Sequence, residues 1–129
     1  MINVEKQVTY WHDGAIEDWE VAESLISELK IRHGLFFAHL ALEKLLKAHV
    51  CRHTQDLAPR IHNLIRLAEL TTLHLSSEQI DILADMNVFS LEGRYPDPFT
   101  QPPSPAEAKE YLDHAQKVYE WLKNQLSTQ

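Results

Sequence analysis

A single cysteine, three glycines and no unbroken apolar stretch of membrane length are the first things this 129-residue chain goes without. Cys51, having no possible partner in the chain, excludes an internal disulfide framework and fits a reducing cytoplasm. The first residues, MINVEKQVTYWHDGAIEDWE, show no apolar segment behind a basic one, so no secretory signal is expected. A membrane span needs about 20 mostly apolar residues, and the longest apolar region is broken by Glu43, Lys44 and Lys47. His49 and His53 stand one helical turn apart, but no H-E-x-x-H or cysteine cluster accompanies them, so no metal site is expected. There is no Gly-rich phosphate loop and no G-x-S-x-G, no cofactor is expected, and Cys51 in an apolar setting reads as core rather than nucleophile.

What is present is organised around Gly34 to His53, GLFFAHLALEKLLKAHVCRH. On a helix its polar residues collapse into a strip of His39, Glu43 and Lys47 at i, i+4 and i+8, with Lys44 on the edge and His49 apart. Leucine, phenylalanine, valine and Cys51 cover most of the remaining circumference, and such a helix has to be covered on several sides. The expectation is a central helix covered by its neighbours and by a second copy of the chain, with Leu35, Phe36, Leu42, Leu46 and parts of the last helix at a homodimer interface. The Glu43–Lys47 pair has the favourable order, worth a few tenths of a kcal/mol. That gain does not account for charge on the most apolar helix.

Around this stretch the pattern predicts an all-α antiparallel bundle of four long helices plus one short helix, as one domain over residues 1–129 with its core at about 8–126. The first helix is expected from about Thr9 to Lys30, with Asp13-Gly14 as cap or interruption and Gly34 as the C-terminal stop. The third is expected from Arg60 to about Thr72, opened by Pro59, and Ser76 with Gln79 reads as a capping box opening the fourth. The fourth helix's apolar positions are taken as Ile80, Leu83, Ala84, Val88 and Leu91. A stretch with four prolines follows, expected to be anchored by Tyr95 and Phe99, and then Ser104-Pro105-Ala106-Glu107 starts the last helix.

The net charge of −7 argues against a protein that coats DNA. Between Lys30 and Arg66, however, seven basic residues face only two acids, and five of the eight histidines fall there too. Either this basic centre meets an anionic partner, or acidic outer helices neutralise it within the fold.

Three segments taken together resemble a known family: A15-I-E-D-W-E-V-A22; F37-A-H-L-A-L-E-K-L-L-K-A48 followed by P59-R-I-H-N-L64; and G93-R-Y-P-D97. The chain resembles the HEPN domain (higher eukaryotes and prokaryotes nucleotide-binding) over roughly residues 8 to 125. The resemblance implies a helical bundle, usually dimeric, whose shared cleft is the working surface. Many bacterial and archaeal members partner a minimal nucleotidyltransferase in toxin–antitoxin-type pairs. Active members are metal-independent ribonucleases carrying R-x4-6-H. No histidine follows Arg94 in that range, and Arg32 to His39 meets the spacing only literally.

The expected function is therefore a nucleotide- or RNA-binding partner of a nucleotidyltransferase, with no catalytic residue assigned. The alternatives are a ribonuclease with an atypical site and a dimeric interaction module without a small ligand. The expected anion site consists of Lys44, Lys47, His62, Arg94 and Tyr95. Lys44 and Lys47 suit phosphate as point charges, unless they merely snorkel or pair with Glu43. His62 is expected to begin a helix whose amides favour phosphate, unless it is a structural hydrogen-bonder. Arg94 suits bidentate phosphate recognition or a loop clamp, Tyr95 suits base stacking or core anchoring, and Asp97 is a turn residue.

Overall fold

The computed structural model describes residues 2–95 and 97–127, so Pro96 of the R-Y-P-D segment lies outside the described residues. Five helices follow in order: α1 Val4–Ser27, α2 Ile31–Thr54, α3 Leu64–Glu69, α4 Ser77–Arg94 and α5 Pro105–Ser127. No strand occurs among the described residues, and no helix there is long and apolar enough to cross a membrane. The helix α2 packs against all four of the others, which makes it the axis of the bundle. Leu35, Leu42, Leu45 and Leu46 on α2 are fully buried, together with Leu64, Leu67, Leu83 and Leu122 from the helices around it. Burying each such leucine contributes on the order of 1.5–3 kcal/mol.

That packing corrects the expected dimer surface. Leu35, Leu42 and Leu46 are covered by the chain's own helices, so they offer nothing to a second copy. The single bundle closes over α2 because α1 runs along it for most of its length and α3, α4 and α5 take the other sides.

Helix ends also differ from expectation. The first helix begins at Val4, where Asn3 caps it by accepting from the Lys6 amide, and it continues straight through Asp13 and Gly14. It ends at Glu28. The Leu29 amide donates to the Ile26 carbonyl and the Lys30 amide to the Leu25 carbonyl, a Schellman pair of bonds. Leu29, not Gly34, takes the left-handed conformation, with φ 63°. Gly34 instead lies within α2, where a Cβ would stand 2.5 Å from the Ile26 side chain. The glycine serves the close approach of α1 and α2, and the short turn makes them antiparallel neighbours.

The third helix is shorter than expected, because Arg60 to Asn63 is non-helical and Asn63 is the N-cap. The Ser76–Gln79 capping box is present, as is the Ser104–Glu107 one. In α4 the buried apolar residues are Ile82, Leu83, Met86 and Phe89, so the inward face is rotated from the expected one. Val88 and Leu91 are left exposed. In the last helix Ala108, Ala115, Val118, Tyr119, Leu122 and Leu126 are buried, with Tyr111 and Leu112 partly so. Tyr95 and Phe99 do not anchor the α4–α5 connection, being 73% and 92% exposed. Its tie is Arg32, which donates to the Thr100 carbonyl. Asp97 is a turn residue: the Phe99 amide and Thr100 hydroxyl both donate to it, and those bonds hold its carboxyl below the usual range.

Candidate functional site

The polar strip of α2 lies inside the bundle. His39 is 0%, Glu43 4% and Lys47 6% exposed, so the charges of Glu43 and Lys47 have to satisfy each other. Glu43 is the hub. One carboxylate oxygen accepts from Lys47 Nζ at 3.1 Å, and both oxygens lie 3.2 Å from His62 Nδ1. The Lys47 ammonium also stands over the Trp11 ring, 5.1 Å from its centroid. His39 Nδ1 is 3.7 Å from Glu43, too far for a hydrogen bond. Neither ring nitrogen of His39 has a hydrogen-bond partner among the described residues. Burial pushes the His39 pKa down to about 4 despite the opposing pull of Glu43, so the ring is neutral at pH 7.

His62 reaches this hub from the extended segment before α3. Asn63 accepts from the Arg66 amide as the helix cap, and Asn87 of α4 donates to Asn63 at 3.3 Å while accepting from the Leu64 amide at 2.8 Å. Leu64 is fully buried, so the three residues His62-Asn63-Leu64 divide the work of contact, cap and anchor. The expectation that His62 opens a helix is corrected: it precedes the cap, and α3 is too short to offer an anion site at its start.

Arg94 arrives as the last residue of α4, where a cation also favours the negative end of the helix. Its Nη1 donates to the Ser90 hydroxyl at 2.5 Å and lies 3.4 Å from the Ser90 carbonyl. The guanidinium rests over the Phe36 ring at 5.0 Å, and Nη2 lies 3.3 Å from His62 Nδ1. Phe36 fits there because the preceding residue is Gly93, at which a Cβ would fall 2.1 Å from the ring.

His62 Nδ1 cannot donate to Glu43 and accept from Arg94 at once. Donation to the buried carboxylate is the stronger, charge-assisted bond. It leaves Nε2 as the imidazole's other nitrogen and Arg94 Nη2 beside a ring nitrogen that offers no lone pair.

His62, Arg94 and Tyr95 line one open cavity of about 240 Å³, with Asn63, Ser90 and Leu91. Three of the five expected site residues are thus brought together, although His62 and Arg94 are 32 positions apart in the chain. Lys47 stands behind them through Glu43 and does not line the cavity. Lys44 is not part of it, since it pairs with Asp18 of α1 at 2.8 Å. Arg32 and His39 do not form a joint site either, one being tied to Thr100 and the other buried beside Glu43. His49 donates through Nε2 to the Leu122 carbonyl at 2.9 Å, a cross-tie between α2 and α5. The site residue that sequence reasoning missed is Glu43. Its signal was charge in the middle of the most apolar helix.

The family model for the HEPN domain matches residues 8–125. The chain belongs to the HEPN domain family. Two solved structures share this HEPN fold. TT1696 from Thermus thermophilus aligns over 92% of this chain and 97% of its own, with a TM-score of 0.77 and 21% identity. ST0689, described as an archaeal HEPN homologue, aligns over 97% of this chain and 98% of its own, with a TM-score of 0.68 and 21% identity. No curated protein matches. The HEPN segments quoted from the sequence coincide with the cavity and the hub behind it: Glu43 and Lys47 of E-K-x-x-K with the hub, H-N-L with the imidazole and its cap, and G-R-Y with the arginine and its aromatic seat.

Proposed function

We propose that this HEPN protein is a cytoplasmic nucleotide- or RNA-binding partner of a minimal nucleotidyltransferase in a toxin–antitoxin-type pair. The observation that carries the binding half is the meeting of Arg94 and His62 on one open cavity with the exposed Tyr95 ring at its edge. A guanidinium suits phosphate oxygens and an exposed tyrosine suits a base face. In titrations with labelled single-stranded RNA and with nucleotides, Arg94→Ala is expected to weaken binding by roughly 1.5–3 kcal/mol, the scale of a charged hydrogen bond. Lys123→Ala on α5 should change little. A lower melting temperature with intact binding would make Arg94 a loop clamp and defeat the reading. The partner half is tested at the neighbouring gene: a small nucleotidyltransferase encoded there that forms a stable complex on co-expression supports it, and the lack of such a gene or independent elution of the two proteins counts against it.

Homodimerisation belongs to the same proposal, now through the outer face of α4. Val88 and Leu91 are exposed there and Leu91 lines the cavity, so a second copy on that face would border the site. Sedimentation at micromolar concentration should show about twice the 15.0 kDa chain mass, and Leu91→Glu should return it to one. A wild-type monomer would end this part.

A second reading, a metal-independent ribonuclease with an atypical site, is favoured by one observation. An arginine and a carboxylate-oriented histidine do lie side by side, although R-x4-6-H is absent after Arg94. RNA cleavage that persists with chelator and is lost in His62→Gln would select it.

A further inference from the structure

Resting on the nucleotide-binding reading, we infer that the His62–Arg94 cavity takes a terminal phosphomonoester in preference to an internucleotide phosphodiester, and that His62 takes up a proton as the monoester binds.

The argument is one of charge and of committed donors. The groups facing His62 are Glu43, Lys47 and His39 from α2 and Arg94 from α4. His39 is neutral in its buried place. With His62 neutral, the cluster holds two cations against one carboxylate. With His62 protonated it holds three against one. A phosphodiester carries a single negative charge, which the cluster balances without the extra proton. A terminal phosphate carries close to two at neutral pH. Its second charge is matched only when solvent supplies a proton to His62 Nε2, Nδ1–H already being directed at Glu43.

Geometry agrees. Two Arg94 donor directions are already held by Ser90, which fixes the plane of the guanidinium and leaves Nη2 toward the imidazole side. An oxyanion there would accept from both Arg94 Nη2 and His62 Nε2–H. It would also relieve the juxtaposition of Nη2 with a protonated Nδ1. The cavity, at about 240 Å³, is below the roughly 300–1,000 Å³ of sites that enclose a drug-sized ligand. The phosphate would lie in the cavity, with the base at its open edge against Tyr95.

Calorimetry on the full chain tests this with three probes: AMP, the dinucleoside monophosphate ApA (which has only a diester), and sulfate, whose charge stays constant between pH 6.5 and 8. The expected result is at least tenfold tighter binding of AMP than of ApA. At pH 7.5, titrations in two buffers of different ionisation heat should show net proton uptake with AMP and none with ApA. Sulfate should bind more weakly at pH 8 than at 6.5. In His62→Gln, a change at a half-exposed position, AMP should still bind weakly through Arg94, and both the proton uptake and the pH dependence of sulfate should vanish. Equal affinity for AMP and ApA, or proton uptake unchanged in His62→Gln, overturns the inference and leaves nucleotide binding standing. Failure of AMP, ApA and single-stranded RNA alike overturns both.

Discussion

Changing Glu43 to glutamine keeps the size of the hub and removes its charge. In the wild type the carboxylate, on a residue 4% exposed, is the acceptor for Lys47 Nζ at 3.1 Å and for His62 Nδ1 at 3.2 Å. The amide retains one acceptor oxygen, but the Lys47 ammonium would then sit in the interior with only that oxygen and the Trp11 face for company. Breaking a buried ion pair by removing one partner generally costs about 3–5 kcal/mol. The remaining amide oxygen argues for the lower part of that range, so we expect a loss of about 3 kcal/mol. Small domains have roughly 5–15 kcal/mol in total, and a change of this size in a chain of this length should lower Tm by on the order of 10 °C. Urea unfolding followed by circular dichroism measures it. The partner variant Lys47→Met should be less damaging in the Glu43→Gln background than alone, because the two losses share one cause. A loss under about 1 kcal/mol in Glu43→Gln, or full additivity of the two changes, would refute the view that this pair is held dry inside the bundle.

Two other outcomes follow from the same interior. The His39 pKa, lowered by burial to about 4, means that the unfolded chain binds a proton there before the folded one does. Stability is therefore full above the ordinary histidine value near 6.5 and is lost as pH falls toward 4, by up to roughly 3 kcal/mol at 1.36 kcal/mol per unit. His49, lowered by burial beside its bond to Leu122, acts in the same sense, and His39→Leu should flatten the acid limb of a stability–pH curve. Gly93→Ala should destabilise by about 1–3 kcal/mol despite alanine's better helix propensity, because the new Cβ meets the Phe36 ring. Thermal unfolding of that variant beside wild type decides it.

The existence and type of the helices were legible in the chain, and their ends were legible only where a side chain makes the cap. Ser76 with Gln79 and Ser104 with Glu107 announce themselves, since the capping atoms belong to distinctive residues. The α1 end does not, because its turn is made by backbone bonds at Leu29, while the conspicuous Gly34 was recruited for contact with Ile26. The face of α4 was misread because apolar residues lie on both sides of it, with Val88 and Leu91 outside and Met86 and Phe89 inside. Within the site, His62, Arg94 and Tyr95 were readable as a group through their segments. Lys44 and Lys47, three positions apart on α2, diverge to different partners, Asp18 on one side and Glu43 on the other. Pairing rules for exposed helices gave Glu43 and Lys47 a small energy and no hint of their burial.

The contact between Gly93 and Phe36 makes two distant positions trade volume. A side chain at 93 can be admitted only if the one at 36 shrinks, and a smaller residue at 36 takes away the ring on which the Arg94 guanidinium lies. Relatives that fill position 93 should therefore carry a small residue at 36 and let the arginine swing free of its seat. In such proteins the guanidinium would have to be ordered by its ligand, at a cost in affinity that this chain avoids by having the arginine in place beforehand.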